Sequence, residues 1–459
     1  MENIKFERGR SVNNTEKDLS DLCDFAFLKL WSFPNPYKEP GKELCDILVI
    51  FDNNIIIFSV KDIKYNEEKG MAGWKRWKRK AIDESIEQIN GAEKWLRKYP
   101  NKIFTDSTCK QSIPIKIKND MKMYRILVAH GVSEYIKKIP GNTSGSLGIK
   151  YSDDKNLDEI PYFIELPKSP IYHIFDSSNL EIVLKELDTI TDFINYLKEK
   201  EKAIKNSKIV SYTSEEDVLG QYMRTIEYET GKHYILKDTN YNKIVNFENN
   251  IWNIFSNSIE YKEKKYLDKT SYLWDEYLKQ LCEFALNGEL RGNIDVFQDD
   301  SPIKEMAKES RFHRRILSDG IIQAVNYFPE IADEYTRHVR FIMSEDNKSA
   351  YVFLQIKYNE QEDYEKIVRL KRRQMLNIAC GTLKNKHSFL KKIIGIAINS
   401  PKHHIYADQD YILLDCKKWT REDRSYYYNL NKDFNFWKQK NELKVMNSFE
   451  YPVANIDFW

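Results

Sequence analysis

Two short apolar runs, Leu44–Phe51 and Ile55–Lys61, are separated only by Asp52, Asn53 and Asn54, and this spacing constrains the fold of the chain more than any other feature. Such a pattern predicts a β-hairpin. Polar groups stand where buried strands should be apolar: Asp46 at the entry of the first run, and Ser59 and Lys61 near the end of the second. Strand side chains alternate between faces, so Ser59 and Lys61 point the same way, and Asp46 projects near them from the neighbouring strand. A buried ion without a partner loses several kcal/mol of hydration, so an acid and an amine placed together there call for a functional reason. Asp46 offers oxygen to a hard divalent cation, and Lys61 can orient a water or neutralise charge developing on a phosphate. Metal-assisted phosphodiester cleavage is the chemistry this pairing suits. The bland readings are a strand-entry aspartate bonded to local amides and a lysine whose head snorkels to water.

The segments Glu43-Leu-Cys-Asp46 and Ile57-Phe-Ser-Val-Lys61, followed by a helical stretch with Ser85, Gln88 and Gly91-Ala92, resemble the PD-(D/E)xK nuclease superfamily over roughly the first hundred residues. The resemblance implies an α/β fold whose N-terminal part is a restriction-endonuclease-like mixed sheet flanked by helices. It also implies a metal-dependent endonuclease using Mg2+ or Mn2+, with Asp46 and a further acid holding the ion, the Val60 carbonyl as an extra ligand and Lys61 handling the attacking water. Gln88 is similar to a glutamine that such nucleases carry on this helix, contacting nucleic acid or holding the lysine. Ser59 departs from the pattern, because it stands where the superfamily usually has an acid. One branch with Ser-x-Lys supplies the missing carboxylate from the next helix, which makes Glu84 and Glu87 candidates. Many members place an acid on the first helix, which makes Glu16 another. If Ser59 instead marks lost chemistry, the same fold becomes a nucleic-acid-binding or regulatory subunit that does not cleave.

The positions of these acids can be read from helical periodicity. Thr15 is placed to cap a helix whose apolar stripe is Leu19, Leu22, Cys23, Ala26, Phe27 and Leu30. Glu16 falls near the edge of that stripe and can lean toward the sheet, although a first-turn acid is also favoured by the helix dipole. On the later helix Ile82, Ile86, Ile89 and Leu96 define the buried face, and Glu84 and Glu87 point away from it. Gln88 and Ser85 flank that face and approach the sheet more closely.

Between hairpin and helix lies Trp74-Lys75-Arg76-Trp77-Lys78-Arg79-Lys80, in which five cations are interleaved with two indoles. Cations there suit phosphates, and indoles suit unpaired bases or sugars. The competing reading is a basic helix start whose tryptophans complete the core. The expected partner is nucleic acid, DNA ahead of RNA. A second cluster, Arg369-Leu-Lys-Arg-Arg373, reads as a solvated helix face ahead of another phosphate surface. Whole-chain charge does not decide the matter, since 72 Lys and Arg stand against 70 Asp and Glu.

A chain of 459 residues, 41% of them hydrophobic, should hold more than one domain. The charged, glycine-free stretch Lys198–Lys208 suggests a boundary near residue 205. It separates a nuclease-like domain (1–205) from an accessory α+β domain (206–459) for substrate capture, partner binding or self-association. In the second part, strands are expected at Val339–Ser344, Ala350–Ile356, Lys392–Ile398 and Tyr411–Asp415, with a helix near Asp363–Cys380. Met1–Arg10 has no apolar signal core and no run approaches the roughly 20 apolar residues of a bilayer span, so a soluble, cytoplasmic protein without membrane contact is expected. Six scattered cysteines suggest neither zinc nor disulfides. The build is similar, by analogy alone, to effectors of bacterial defence or restriction systems.

Overall fold

A computed structural model describes residues 8–9, 13–140, 142, 144–154, 159–227, 230–237, 241–288, 297, 301–405, 408–437 and 449–451. Among these, the chain forms two compact units. One holds the chain through Lys264 together with 282–288; the other holds Lys265–Leu281 and the described residues from 297 to 451. The protein is mixed α/β, and no described helix is long and apolar enough to cross a membrane.

The first unit opens with α1 (Asn14–Phe27), followed by β1 (Ser32–Pro34), β2 (Ile47–Phe51) and β3 (Asn54–Asp62). The predicted hairpin is β2–β3: the strands pair antiparallel, with Phe51 opposite Asn54 and a turn in which Asp52 takes φ 54°. Asp tolerates this left-handed conformation because its short polar side chain bonds locally. β2 is buried along its whole length, and Phe58 of β3 lies 6.4 Å from Phe27 of α1, ring centre to ring centre. The chain then forms α2 (Gly70–Lys78) and α3 (Glu84–Lys98), joined by a π-type turn over Arg79–Asp83, before β4 (Lys122–His130). β4 runs parallel to β3, as expected for a strand reached through a helical crossover.

Next come β5 (Gly148–Tyr151), β6 (Phe163–Leu166), β7 (His173–Asp176), α4 (Ile190–Lys205), β8 (Ile209–Tyr212), α5 (Glu215–Arg224) and β9 (Ile244–Asn246). The principal sheet has the order β1-β2-β3-β4-β7, antiparallel as far as β3 and parallel beyond it. A second sheet has the order β9-β8-β5-β6.

That second sheet moves the expected boundary at residue 205. The charged stretch is not a linker but the end of α4, and Lys200 is only 2% exposed. Its ammonium bonds both carboxylate oxygens of Glu215 at 2.5 Å, while Tyr196 donates to the same carboxylate. β8 pairs with β5, so the segment just past 205 belongs to the first unit.

In the second unit, α6 (Arg311–Tyr327) precedes β10 (Arg337–Met343), β11 (Ser349–Ile356), α7 (Arg369–Lys386), β12 (Lys392–Asn399), β13 (Gln409–Asp415) and α8 (Arg421–Phe434). Its sheet order is β10-β11-β12-β13, with only the central pair parallel. The core joins Val352, Leu354 and Ile356 of β11 to Leu376, Ala379 and Leu383 of α7. The basic run at the start of α7 is not a uniformly solvated face. Arg372 is wholly buried and donates to Asp410, Asn399 and the carbonyl of Asp408.

Candidate active site at the strand ends

Asp46 stands just before β2, 5% exposed, with its N–H donating to the Phe58 carbonyl at 3.2 Å, so it extends the hairpin ladder by one residue. Opposite it, Ser59 and Lys61 leave β3 on the face that meets α3. Gln88 of α3 joins all three. Its Nε2 donates to Asp46 Oδ1 at 3.0 Å, and its Oε1 accepts from Ser59 Oγ at 2.8 Å and from Lys61 Nζ at 2.9 Å. The second Asp46 oxygen accepts the Val60 N–H at 2.5 Å. The acid and the ammonium are therefore on the same side of the sheet, one carboxamide apart.

Burial raises the Asp46 carboxyl above its ordinary value, and nearby Glu16 adds to the rise; the Lys61 ammonium, the Val60 N–H and the Gln88 amide pull the other way. Glu43, three residues upstream on the two-residue strand Lys42–Glu43, is also raised, first by burial and then by Glu16 and Asp46, with Lys61 opposing. Glu16, Glu43, Asp46 and Lys61 thus share one electrostatic environment.

Glu16 reaches this region from the first turn of α1. The helix is capped by Asn13 rather than by Thr15: the Asn13 side chain accepts the Glu16 N–H at 2.9 Å and returns an amide N–H to Glu16 Oε1 at 2.7 Å. The Thr15 hydroxyl instead donates to Asp62 Oδ2 at 3.2 Å. The other Glu16 oxygen accepts from Asn35 Nδ2 at 3.1 Å. Asn35, Asn13 and Glu43 join the site without a sequence signal that marks them as site residues. Asn35 sits between Pro34 and Pro36, a turn signal, but its two partners are long-range and no periodicity announces them.

Glu84 and Glu87 are exposed, and both act electrostatically on Asp83. Among the described residues no three His, Cys, Asp or Glu side chains already form a ligand shell.

The basic segment divides in two. Trp74 and Trp77 are at most 1% exposed and stack on each other at 5.3 Å, and Trp77 donates to the His130 carbonyl at 3.1 Å. These indoles complete the core and offer no free face to a base, because they are buried against each other and Trp74 also meets the Tyr162 ring. Lys75, Arg76 and Arg79 are exposed, while Lys78 and Lys80 are half-buried. Lys75 and Lys78 lie 3.6 and 3.3 Å from the Glu159 carboxylate.

No protein-family model, curated protein or solved structure matches this chain.

Proposed function

We propose that the first unit is a metal-dependent endonuclease with a restriction-endonuclease-like core, hydrolysing phosphodiester bonds in DNA ahead of RNA. The observation that carries this reading is the Asp46–Gln88–Lys61 linkage. An acid and an ammonium, from adjacent strands of a sheet that turns from antiparallel to parallel at β3, converge on one side chain of the crossover helix.

The donor set suits a hard cation. Each carboxylate oxygen has two acceptor sites, and the N–H groups of Val60 and Gln88 use one on each Asp46 oxygen, leaving capacity for a further ligand. Mg2+ is bound by one or two carboxylates with waters and substrate phosphates making up the rest, so a protein shell of three acids is not required. Asp46 and Glu16 are the residues that would hold it, with the Val60 carbonyl as an additional oxygen. When bound, the ion supplies Lewis-acid polarisation of the phosphate and a more acidic water. Lys61 then turns its ammonium from Gln88 to the attacking water or a non-bridging phosphate oxygen, and Gln88 fixes where that ammonium starts. Ser59 contributes only a neutral hydroxyl engaged with Gln88. Lys75, Arg76 and Arg79 supply phosphate contacts without base stacking.

Cleavage of supercoiled plasmid, single-stranded DNA and RNA in Mg2+ or Mn2+ tests this. Lys61→Ala should lower the rate by about 10²–10³-fold, the range for losing a group that stabilises developing charge, Asp46→Ala, which removes a carboxylate that would hold the ion, by at least as much, and Ser59→Ala by far less. Equal rates for Asp46→Ala and wild type on all three substrates would reject the proposal. One observation favours a second reading, binding without cleavage: a neutral serine stands where an acid is expected, and Gln88 already bridges Asp46 to Lys61. Salt-sensitive nucleic-acid binding with no metal-dependent cleavage marks that outcome.

A further inference from the structure

Ser59 leaves the proposed site one carboxylate short, and the hydrogen bonds around Glu16 indicate how the deficit is met. A glutamate in the first turn of a helix ordinarily swings in solvent. Here each carboxylate oxygen is gripped by a different amide, Oε1 by Asn13 Nδ2 at 2.7 Å and Oε2 by Asn35 Nδ2 at 3.1 Å. Asn35 is 1% exposed, and its backbone N–H donates to the Asp46 carbonyl at 2.8 Å. One residue therefore holds the backbone of one acid and the head group of the other. It does so at φ 43°, a left-handed conformation that asparagine tolerates better than most residues. The two amides hold the two oxygens separately, so the grip fixes the orientation of the carboxylate.

We propose that Asn35, assisted by Asn13, is a positioning residue that presents Glu16 to the Asp46–Lys61 site as the second carboxylate for a divalent cation, in place of the acid missing at Ser59. This rests on the metal-dependent reading above. Asn35 touches neither cation nor substrate and acts through Glu16.

Divalent-ion affinity is the direct readout, measured on the full chain as free Mn2+ by electron paramagnetic resonance and independent of turnover. Asn35→Gly keeps the left-handed backbone and its N–H while deleting the amide. Asn13→Ser keeps an N-cap oxygen on an exposed residue while deleting the donor to Glu16, and it guards against a folding defect in the first variant. Loss of an outer-shell partner typically weakens metal binding about 10–100-fold, so Asn35→Gly should fall in that range, Asn13→Ser toward or below its lower end, and Glu16→Gln at least as far as Asn35→Gly. Adding Asn35→Gly to Glu16→Gln should cost nothing more, because the carboxylate it positions is gone. Wild-type affinity in both asparagine variants, or losses that multiply in the double variant, overturns the positioning role. Absence of Mn2+ binding by the wild-type chain overturns the metal reading itself, and the positioning role with it.

Discussion

Asp176 and Glu216 show how individual side chains carry more than pairing rules suggest. Both are buried, and Ser146 links them: its hydroxyl donates to Glu216 while the neighbouring Leu147 N–H donates to Asp176 Oδ2 at 2.8 Å. Burial is the chief cause lifting Glu216 to about 7, with Asp176 and Asp217 adding to it, and burial lifts Asp176 to about 6. A carboxyl whose folded pKa exceeds its unfolded value binds its proton more tightly when folded. The resulting stabilisation is complete below about pH 4 and is lost as pH rises through about 6 and 7. For Glu216 the change corresponds to about 3 kcal/mol, at about 1.4 kcal/mol per pKa unit. Urea denaturation should therefore show stability falling between pH 5 and pH 8. Glu216→Gln, a neutral stand-in for the protonated acid, should flatten much of that fall and be the more stable form at pH 8. Parallel slopes for the two proteins would count against the assignment. Neither acid was legible beforehand, since a glutamate in a helix's first turn carries no mark of its burial. Asp46 and Lys61 were legible because they interrupt apolar runs.

At the scale of elements, α2 separates two roles that its sequence interleaves. Trp74 and Trp77 are three residues apart and so share one face of the helix, and the structure spends that face on the core. The spacing was readable, but composition pointed equally to stacking on bases, and only the tertiary packing decides. Trp77→Ala should cost about 3–5 kcal/mol of unfolding free energy, the usual range for truncating a buried tryptophan. If α2 follows a phosphate backbone, replacing Lys75, Arg76 and Arg79 together by alanine should weaken nucleic-acid binding broadly across sequences. It should also reduce the slope of log affinity against log salt by about 3, one for each phosphate contact removed. An unchanged slope would take α2 out of the interface. The β2–β3 hairpin is legible in the sequence because strand and turn chemistry agree locally. The cap of α1 is not legible in this way, because Asn13 and Thr15 are both cap formers and only the bonds to Glu16 distinguish them.

At the scale of the whole molecule, the charge run at the end of α4 misled because a lysine-rich stretch resembles a linker when its partners lie further along the chain. The buried Lys200 ammonium is held by the Glu215 carboxylate, and Glu215 follows β8, the strand that pairs with β5. A fragment ending at residue 205 would leave an ammonium in the interior without its carboxylate, at a cost of about 3–5 kcal/mol, and would expose β5 as an unpaired edge. It would also remove Glu216, the acceptor of the buried Ser146 hydroxyl. Typical domain stabilities are about 5–15 kcal/mol, so these losses together should abolish cooperative folding of that fragment. In the intact chain, Lys200→Met alone should lower stability by about 3–5 kcal/mol, whereas Lys200→Met combined with Glu215→Leu should recover part of that loss, because no buried charge is then left unpaired. Circular-dichroism melting and limited proteolysis distinguish the outcomes. A sharp transition and a protease-resistant core for the 1–205 fragment would return the boundary to residue 205, whereas a broad, protease-sensitive profile ties β8 and α5 to the unit that bears Asp46 and Lys61.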